Sequence, residues 1–312
     1  MQSQPHHQQR VEDLVTAIRS LQPHLERMSE AFRQDINSTE GRNFERWSAK
    51  DWCRNTFGNA LVRLRQLTEN NFHFIETMGV LAVARYVFEL SVWLNLFKID
   101  SRFGLIYYRE LLDTQLRYYQ DTAEYLRREA ALLKSFEAKE SESTDTVLKE
   151  VSANESLASE IGNMVKQAMS RVDAEASRKF SLYADDARTN GYGFQAYLVE
   201  KKAIPQAERA ILDIEKEIEE FESRVPEEVR NLVKGRWQWR QMADKVGLAH
   251  EHDYIYSYAS KLLHATPASL TTDQKNLELP EICVFLRYIH VKILEIMDVA
   301  RQQPECQIRM KA

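Results

Sequence analysis

Along residues 11–36, Val11, Leu14, Val15, Ile18, Leu21, Leu25 and Met28 recur at spacings of three and four. That is the stripe of a helix with one buried face, and Pro23 is expected to kink it. The run "NSTEGRN" breaks the pattern. "SAKD" at Ser48–Asp51 then reads as a capping box with aspartate in the glutamate position. It opens a helix through Leu61, Leu64 and Leu67 to about Phe74. Residues 78–97 are apolar nearly throughout, interrupted by Arg85 and Glu89. Two charges inside a bilayer span are costly, so a buried core helix is expected. Residues 100–136 place Leu105, Tyr108, Leu112, Leu116, Tyr119, Ala123, Leu126, Ala130 and Leu133 close to a heptad register, which suits packing along another helix.

The pattern then changes. Residues 137–156 lose the apolar period and are acidic and serine-rich, as in a solvated linker or exposed helical extension. Ile161 to Tyr183 resume an amphipathic helix, "TNGYG" (189–193) marks a turn, and a charged helix returns over 194–222. These two read as an antiparallel hairpin with a solvated face. "VPEEVR" starts a further helix with Pro226 in its first turn, and "WQWRQMADKVGL" is a short one ended by Gly247. A helix over 253–264, a polar loop and a last helix after Pro280 complete the chain.

The predicted fold is all-α, a helical bundle interrupted by a long charged hairpin. The expected parts are 1–136 (N-terminal helices), 137–160 (linker or extension), 161–225 (hairpin), 226–302 (C-terminal helices completing the bundle) and 303–312 (tail). Helix 101–136 carries more apolar surface than one short partner covers, which suggests a homodimer.

Composition agrees with long helices. Glycine and proline number 9 and 7 in 312 residues, against roughly 22 and 16 at average usage. A net charge of −5 argues against a large non-specific nucleic-acid surface, though not against a local basic pocket. Cys53, Cys283 and Cys306 are far apart and odd in number. They form neither a metal-ligand spacing nor a disulfide framework, so a reducing compartment is expected. The first ten residues lack the apolar stretch of a signal peptide, and a cytoplasmic setting without membrane association is expected.

Candidate chemistry gathers in "YIYSYASKLLHAT" (254–266), where Tyr256, Ser260 and His264 follow one another at four-residue steps. On a helix each step turns the side chain about 40°, so all three share a face. One reading is structural: three polar groups bonded to neighbouring helices. The other makes His264 a general acid or base, with Tyr256 and Ser260 orienting it or binding substrate. Arg85 and Glu89, four apart on the apolar helix, are either a self-satisfied ion pair or an arginine held for a phosphate or carboxylate. If the two helices pack side by side, Arg85 and His264 would share one pocket suited to phosphodiester chemistry without a metal or cofactor.

"WRQMADKVGLAHEHDYIYSYASKLL" has the outline of a helix-turn-helix, but its second helix offers few base-reading side chains. "HEHD" (His250, His252, Asp253) is more simply exposed than metal-binding. "RYYQ" and "YLRR" interleave arginine with tyrosine as single-strand binders do, and equally as an amphipathic helix does.

"ARYVFE" on an early apolar helix, followed late by "MADKVGL" and "DYIYSYASKLLHATPASL", resembles a group of bacterial all-helical proteins. The match covers roughly residues 60–135 and 230–300, and by helix order that group is similar to the HEPN superfamily. The resemblance implies an RNA- or nucleotide-binding protein of defence or toxin type, with metal-independent ribonuclease potential. It equally admits a non-catalytic interaction module, whose charged hairpin would bind a protein partner. Active members carry an arginine, four to six residues, then a histidine. The positions that would hold the arginine before His264 are Ser257, Tyr258 and Ala259. His264 alone carries over, and Arg85 would have to supply the charge through packing.

Overall fold

The computed structural model describes residues 4–38, 44–73, 75–233, 235–264 and 277–303. The fold is all-α, with no strand among them. The helices in chain order are α1 (Gln4–Arg19), α2 (Gln22–Ser38), α3 (Ala49–Asn70), α4 (Thr77–Ile99), α5 (Phe103–Ala153), α6 (Ile161–Ala176), α7 (Ala184–Asn190), α8 (Tyr192–Leu198), α9 (Ile204–Arg224), α10 (Glu227–Arg230), α11 (Trp239–Lys245), α12 (Ala249–Glu251), α13 (Ser257–Leu263) and α14 (Leu279–Arg301). Two π-helical turns, Val199–Ala203 and His252–Tyr256, lie between α8 and α9 and between α12 and α13.

The chain forms two compact units. One comprises Met1–Glu110 with Arg224–Ala312, the other Leu111–Ser223. The sequence reading set its first subdivision after 136. The structure sets it within α5, because the apolar stripe of that helix runs on without a break.

In the first unit α4 is the central helix, packed on α14, α13, α3 and α11. It is apolar over most of its surface, and Leu81, Ala84, Val87, Phe88, Val92, Leu94 and Leu96 are fully buried. By length and composition it would also span a bilayer, but 61% of its apolar window lies inside the fold. α1 packs on α14, and α2 on α3, where the Phe32 and Phe57 rings stack at 6.1 Å.

Local sequence explains most boundaries. Ser48 caps α3 by accepting from the Asp51 N–H. Asp51 does not complete the capping box; it accepts from the Glu45 N–H instead. The expected kink at Pro23 is a full break. α1 ends at Arg19 and Pro23 stands in the first turn of α2, where a missing N–H costs nothing. α11 stops in a Schellman motif at Gly247 (φ 75°), with the Leu248 N–H on the Ala243 carbonyl and the Gly247 N–H on that of Asp244.

In the second unit, Ala123, Leu126, Ala130, Leu133 and Phe136 of α5 meet Val172 and Ala176 of α6, Ala187 of α7, Tyr192 and Ala196 of α8, and Ala207 of α9. Residues 137–153 continue α5 as helix. The segment expected as one hairpin forms α6 to α9, and its buried residues share one core with α5. Of the apolar stripe that suggested a second copy of the chain, Ala123, Leu126, Ala130 and Leu133 are buried within this unit, while Leu116 and Tyr119 stay partly exposed. Glu129, 2% exposed, accepts from the Ser181 hydroxyl and the Tyr183 N–H and so holds the turn before α7.

Candidate functional site

Arg85, Glu89 and Trp93 repeat at four-residue steps along α4 and form a partly buried strip. On a helix otherwise committed to the core, charge is tolerated only where it is paired or reaches water. Arg85 Nε donates to Glu89 Oε1 at 3.0 Å, and the two side chains keep 29% and 26% exposure. Burial raises the Glu89 pKa, against the opposing pull of the Arg85 guanidinium.

The second wall is the π turn and α13. The Arg85 guanidinium lies over the Tyr256 ring, 4.7 Å from its centroid, and Nη2 donates to the Tyr256 hydroxyl at 3.2 Å. Arg85 Nη1 has no hydrogen-bond partner among the described residues. The His252 ring stacks on the Tyr256 ring, 4.8 Å between centroids and 20° from parallel. Phe88 lies beneath both rings. Burial raises the Tyr256 pKa, so its phenol is neutral at physiological pH.

The third wall is the segment leading into α11. Trp237 stacks on Trp93 at 4.0 Å, and Trp239 stands edge-on to both. Trp239 also approaches Tyr256 at 6.4 Å. The rings of Trp93, Trp237, Trp239, Tyr256 and His252 thus make a band beside the guanidinium, each only partly buried. Trp237 Nε1 is buried without a hydrogen-bond partner among the described residues. A buried indole N–H without an acceptor is uncommon and points to a water or ligand.

The turn is braced from below. Lys292 of α14, 3% exposed, pairs with Glu251 at 2.7 Å and with Glu295, and the Tyr288 hydroxyl donates to Glu251 at 3.0 Å. Glu251 is the residue before His252. Tyr258 fixes the following turn through a 2.9 Å bond to Glu281 and a ring contact with Phe285. Burial and that carboxylate push its pKa up to about 12.

Of the residues singled out from sequence, Arg85, Glu89 and Tyr256 come together. Ser260 is on the same helix, its hydroxyl buried and without a partner among the described residues. His264 does not join them. The helix ends at Leu263, and His264 has an extended backbone (φ −98°, ψ 145°) and an exposed side chain. It stands about 12 Å along the axis from Tyr256 at 1.5 Å per residue. No hydrogen bond or ion pair among the described residues joins it to Arg85. The four-residue rule fails there because the helix stops before its third member.

His252 takes the place beside Tyr256 instead. Its Nδ1 lies 3.1 Å from Asp253, which is bound in turn by Arg240. Sequence reasoning weighed His252 as an exposed polar residue or a metal ligand, not as part of this cluster. The tryptophans went unremarked, although "WQW" in a chain with five tryptophans was a usable signal. An arginine and a histidine do occur at the spacing of active HEPN members, at Arg19 and His24. They straddle the break between α1 and α2, with Arg19 bound to the Phe72 carbonyl and His24 to Arg27. No protein-family model, curated protein or solved structure matches the chain.

Proposed function

We propose that this chain is a HEPN-like helical protein, of defence or toxin type, that binds RNA or a nucleotide on the Arg85–Tyr256–tryptophan face. One observation carries the reading. A guanidinium 29% exposed, held in place by Glu89 and Tyr256, borders a band of partly exposed aromatic rings containing an indole N–H without an acceptor among the described residues. Rings offer sequence-tolerant stacking to bases, worth about 1–3 kcal/mol each, and a guanidinium offers charge to phosphate. Glu89 neutralises much of the Arg85 charge, so stacking carries more of the affinity than ion pairing.

The test is titration of the intact protein with short single-stranded RNA, read by tryptophan fluorescence. Binding with quenching is expected. Trp237→Ala should weaken it by roughly 5- to 100-fold. Arg85→Met should weaken it and flatten its salt dependence by about one unit. No binding at low salt, or binding that both variants leave unchanged, rejects the reading. The ribonuclease potential implied by the resemblance is checked on total RNA with His252→Ala and His264→Ala. Cleavage lost in the first alone makes His252 the proton carrier.

A second reading has its own support: Arg85 Nε and Nη2 are already bonded inside the protein. In a purely structural cluster Arg85→Met would lower the melting temperature and no RNA would bind. The chain would then be a helical interaction protein.

A further inference from the structure

One residue round α4 from Arg85 and Glu89, the helix presents Tyr86 and Leu90 to a different space. Here α3, α4 and the beginning of α5 leave an open groove of about 550 Å³. That lies within the ordinary range of small-ligand sites, roughly 300–1,000 Å³. Asn59, Arg63 and Gln66 of α3 form one wall, with Tyr86 opposite and Tyr107 at the α5 end. Thr56, at the same end, is hydrogen-bonded to Tyr107.

The charge in this groove is uncompensated. Arg63 is exposed, and its hydrogen bond goes to a neutral amide, Gln66, at 3.3 Å. Among the described residues it has no carboxylate partner, and no carboxylate lines the groove. The closest acid on α4, Glu89, is engaged by Arg85. Tyr86 keeps 39% of its surface exposed; burial raises its pKa, the Arg63 charge opposes that rise, and Tyr107 and Glu89 add to it. Among the described residues the wall thus holds a cation without a carboxylate partner, two amides that keep donors and acceptors beyond their bonds to Asn55 and Arg63, and an open aromatic face. Those three features match an anionic group, a hydrogen-bonding heterocycle edge and a stacking ring on one small molecule.

We propose that the groove binds a nucleoside monophosphate unit, with its phosphate on Arg63 and its base on Tyr86, read by Asn59 and Gln66. This rests on the reading that the first unit handles RNA or nucleotides, and adds to it a site for a single phosphorylated nucleoside. The unit could arrive as a free mononucleotide or as the phosphorylated end of an RNA strand.

The test uses the full chain and calorimetric titration with adenosine and uridine 5′-monophosphates, the matching nucleosides, and a trinucleotide with or without a 5′-phosphate. Arg63→Gln, at an exposed site, and Arg128→Gln and Trp237→Ala, outside the groove, are compared with the parent. At least one monophosphate is expected to bind more tightly than its nucleoside. Arg63→Gln should lower that affinity roughly ten- to a hundredfold, and Arg128→Gln, at an exposed arginine of the second unit, should leave it unchanged. Preference for the 5′-phosphorylated trinucleotide over the free monophosphates would assign the groove to strand ends, and the reverse to free nucleotides. No monophosphate binding, or binding indifferent to Arg63→Gln, overturns the proposal. If RNA still binds in a Trp237-dependent way, the broader reading survives that failure. If monophosphate binding depends on Arg63 while RNA binding ignores Trp237, the groove stands and the aromatic face falls.

Discussion

Replacing Glu251 by Gln tests whether the buried lysine braces the π turn. Lys292 has 4% of its side chain exposed, and its two counter-charges come from Glu251, 31% exposed, and Glu295, 50% exposed. Removing one partner of a fully buried pair costs about 3–5 kcal/mol, because the other charge is left desolvated. Here the ammonium keeps Glu295, and a glutamine oxygen can still accept from it, so about 2–3 kcal/mol is the discounted expectation for Glu251→Gln. Lys292→Met leaves a carboxylate that reaches water and still accepts from Tyr288, so about 1–2 kcal/mol is expected. The double variant should recover much of the loss, since neutral replacement of a buried pair is often harmless. For a unit of about 200 residues, 1 kcal/mol moves the melting temperature about 2–4 °C. Glu251→Gln should therefore melt roughly 4–12 °C lower, by calorimetry at neutral pH. Because Glu251 precedes His252, RNA affinity should fall in the same variant under conditions where it remains folded. A melting temperature within a degree of the parent, or no coupling in the double variant, would refute the bracing role.

Gly104→Ala should be severe, because an added Cβ would sit 2.1 Å from the Ala49 carbonyl oxygen and 2.9 Å from Cys53 Sγ. Backbone cannot yield cheaply, so a loss of about 3 kcal/mol or more is expected by denaturant titration. Gly193→Ala meets only the end of the Glu137 side chain, which can rotate away, and should cost under about 1 kcal/mol. Asp100, before α5, has its pKa lowered by Arg102. A depressed carboxyl contributes stability above its unfolded value, about 3.9, and loses it as pH falls through the folded value. Asp100→Asn should therefore narrow the stability difference between pH 6 and pH 3 in urea melts. Glu89 has the opposite sign. Its raised pKa means that its ionisation opposes folding as pH rises through that value, so its contribution falls with pH rather than growing.

What could be read without coordinates followed from local rules. The three-and-four spacing, the scarcity of glycine and proline, the serine before α3 and Gly247 after α11 each act within a turn or two of the chain. They were enough for an all-α fold and for most helix positions. The pairing of Arg85 with Glu89 was legible for the same reason, since both lie on one helix face. Other features depend on contacts between distant segments. The tertiary structure laid Tyr256 against Arg85 across 171 residues. It stacked Trp237 on Trp93 and buried Lys292 beneath the π turn. It buried Ala123, Leu126, Ala130, Leu133 and Phe136 of α5 within its own chain, and it ended the helix before His264 could stand with Tyr256. Periodicity says which face of a helix is apolar, but the partner that covers that face is chosen by packing among all the helices. The few polar groups on α4 acquired neighbours only once that choice was made.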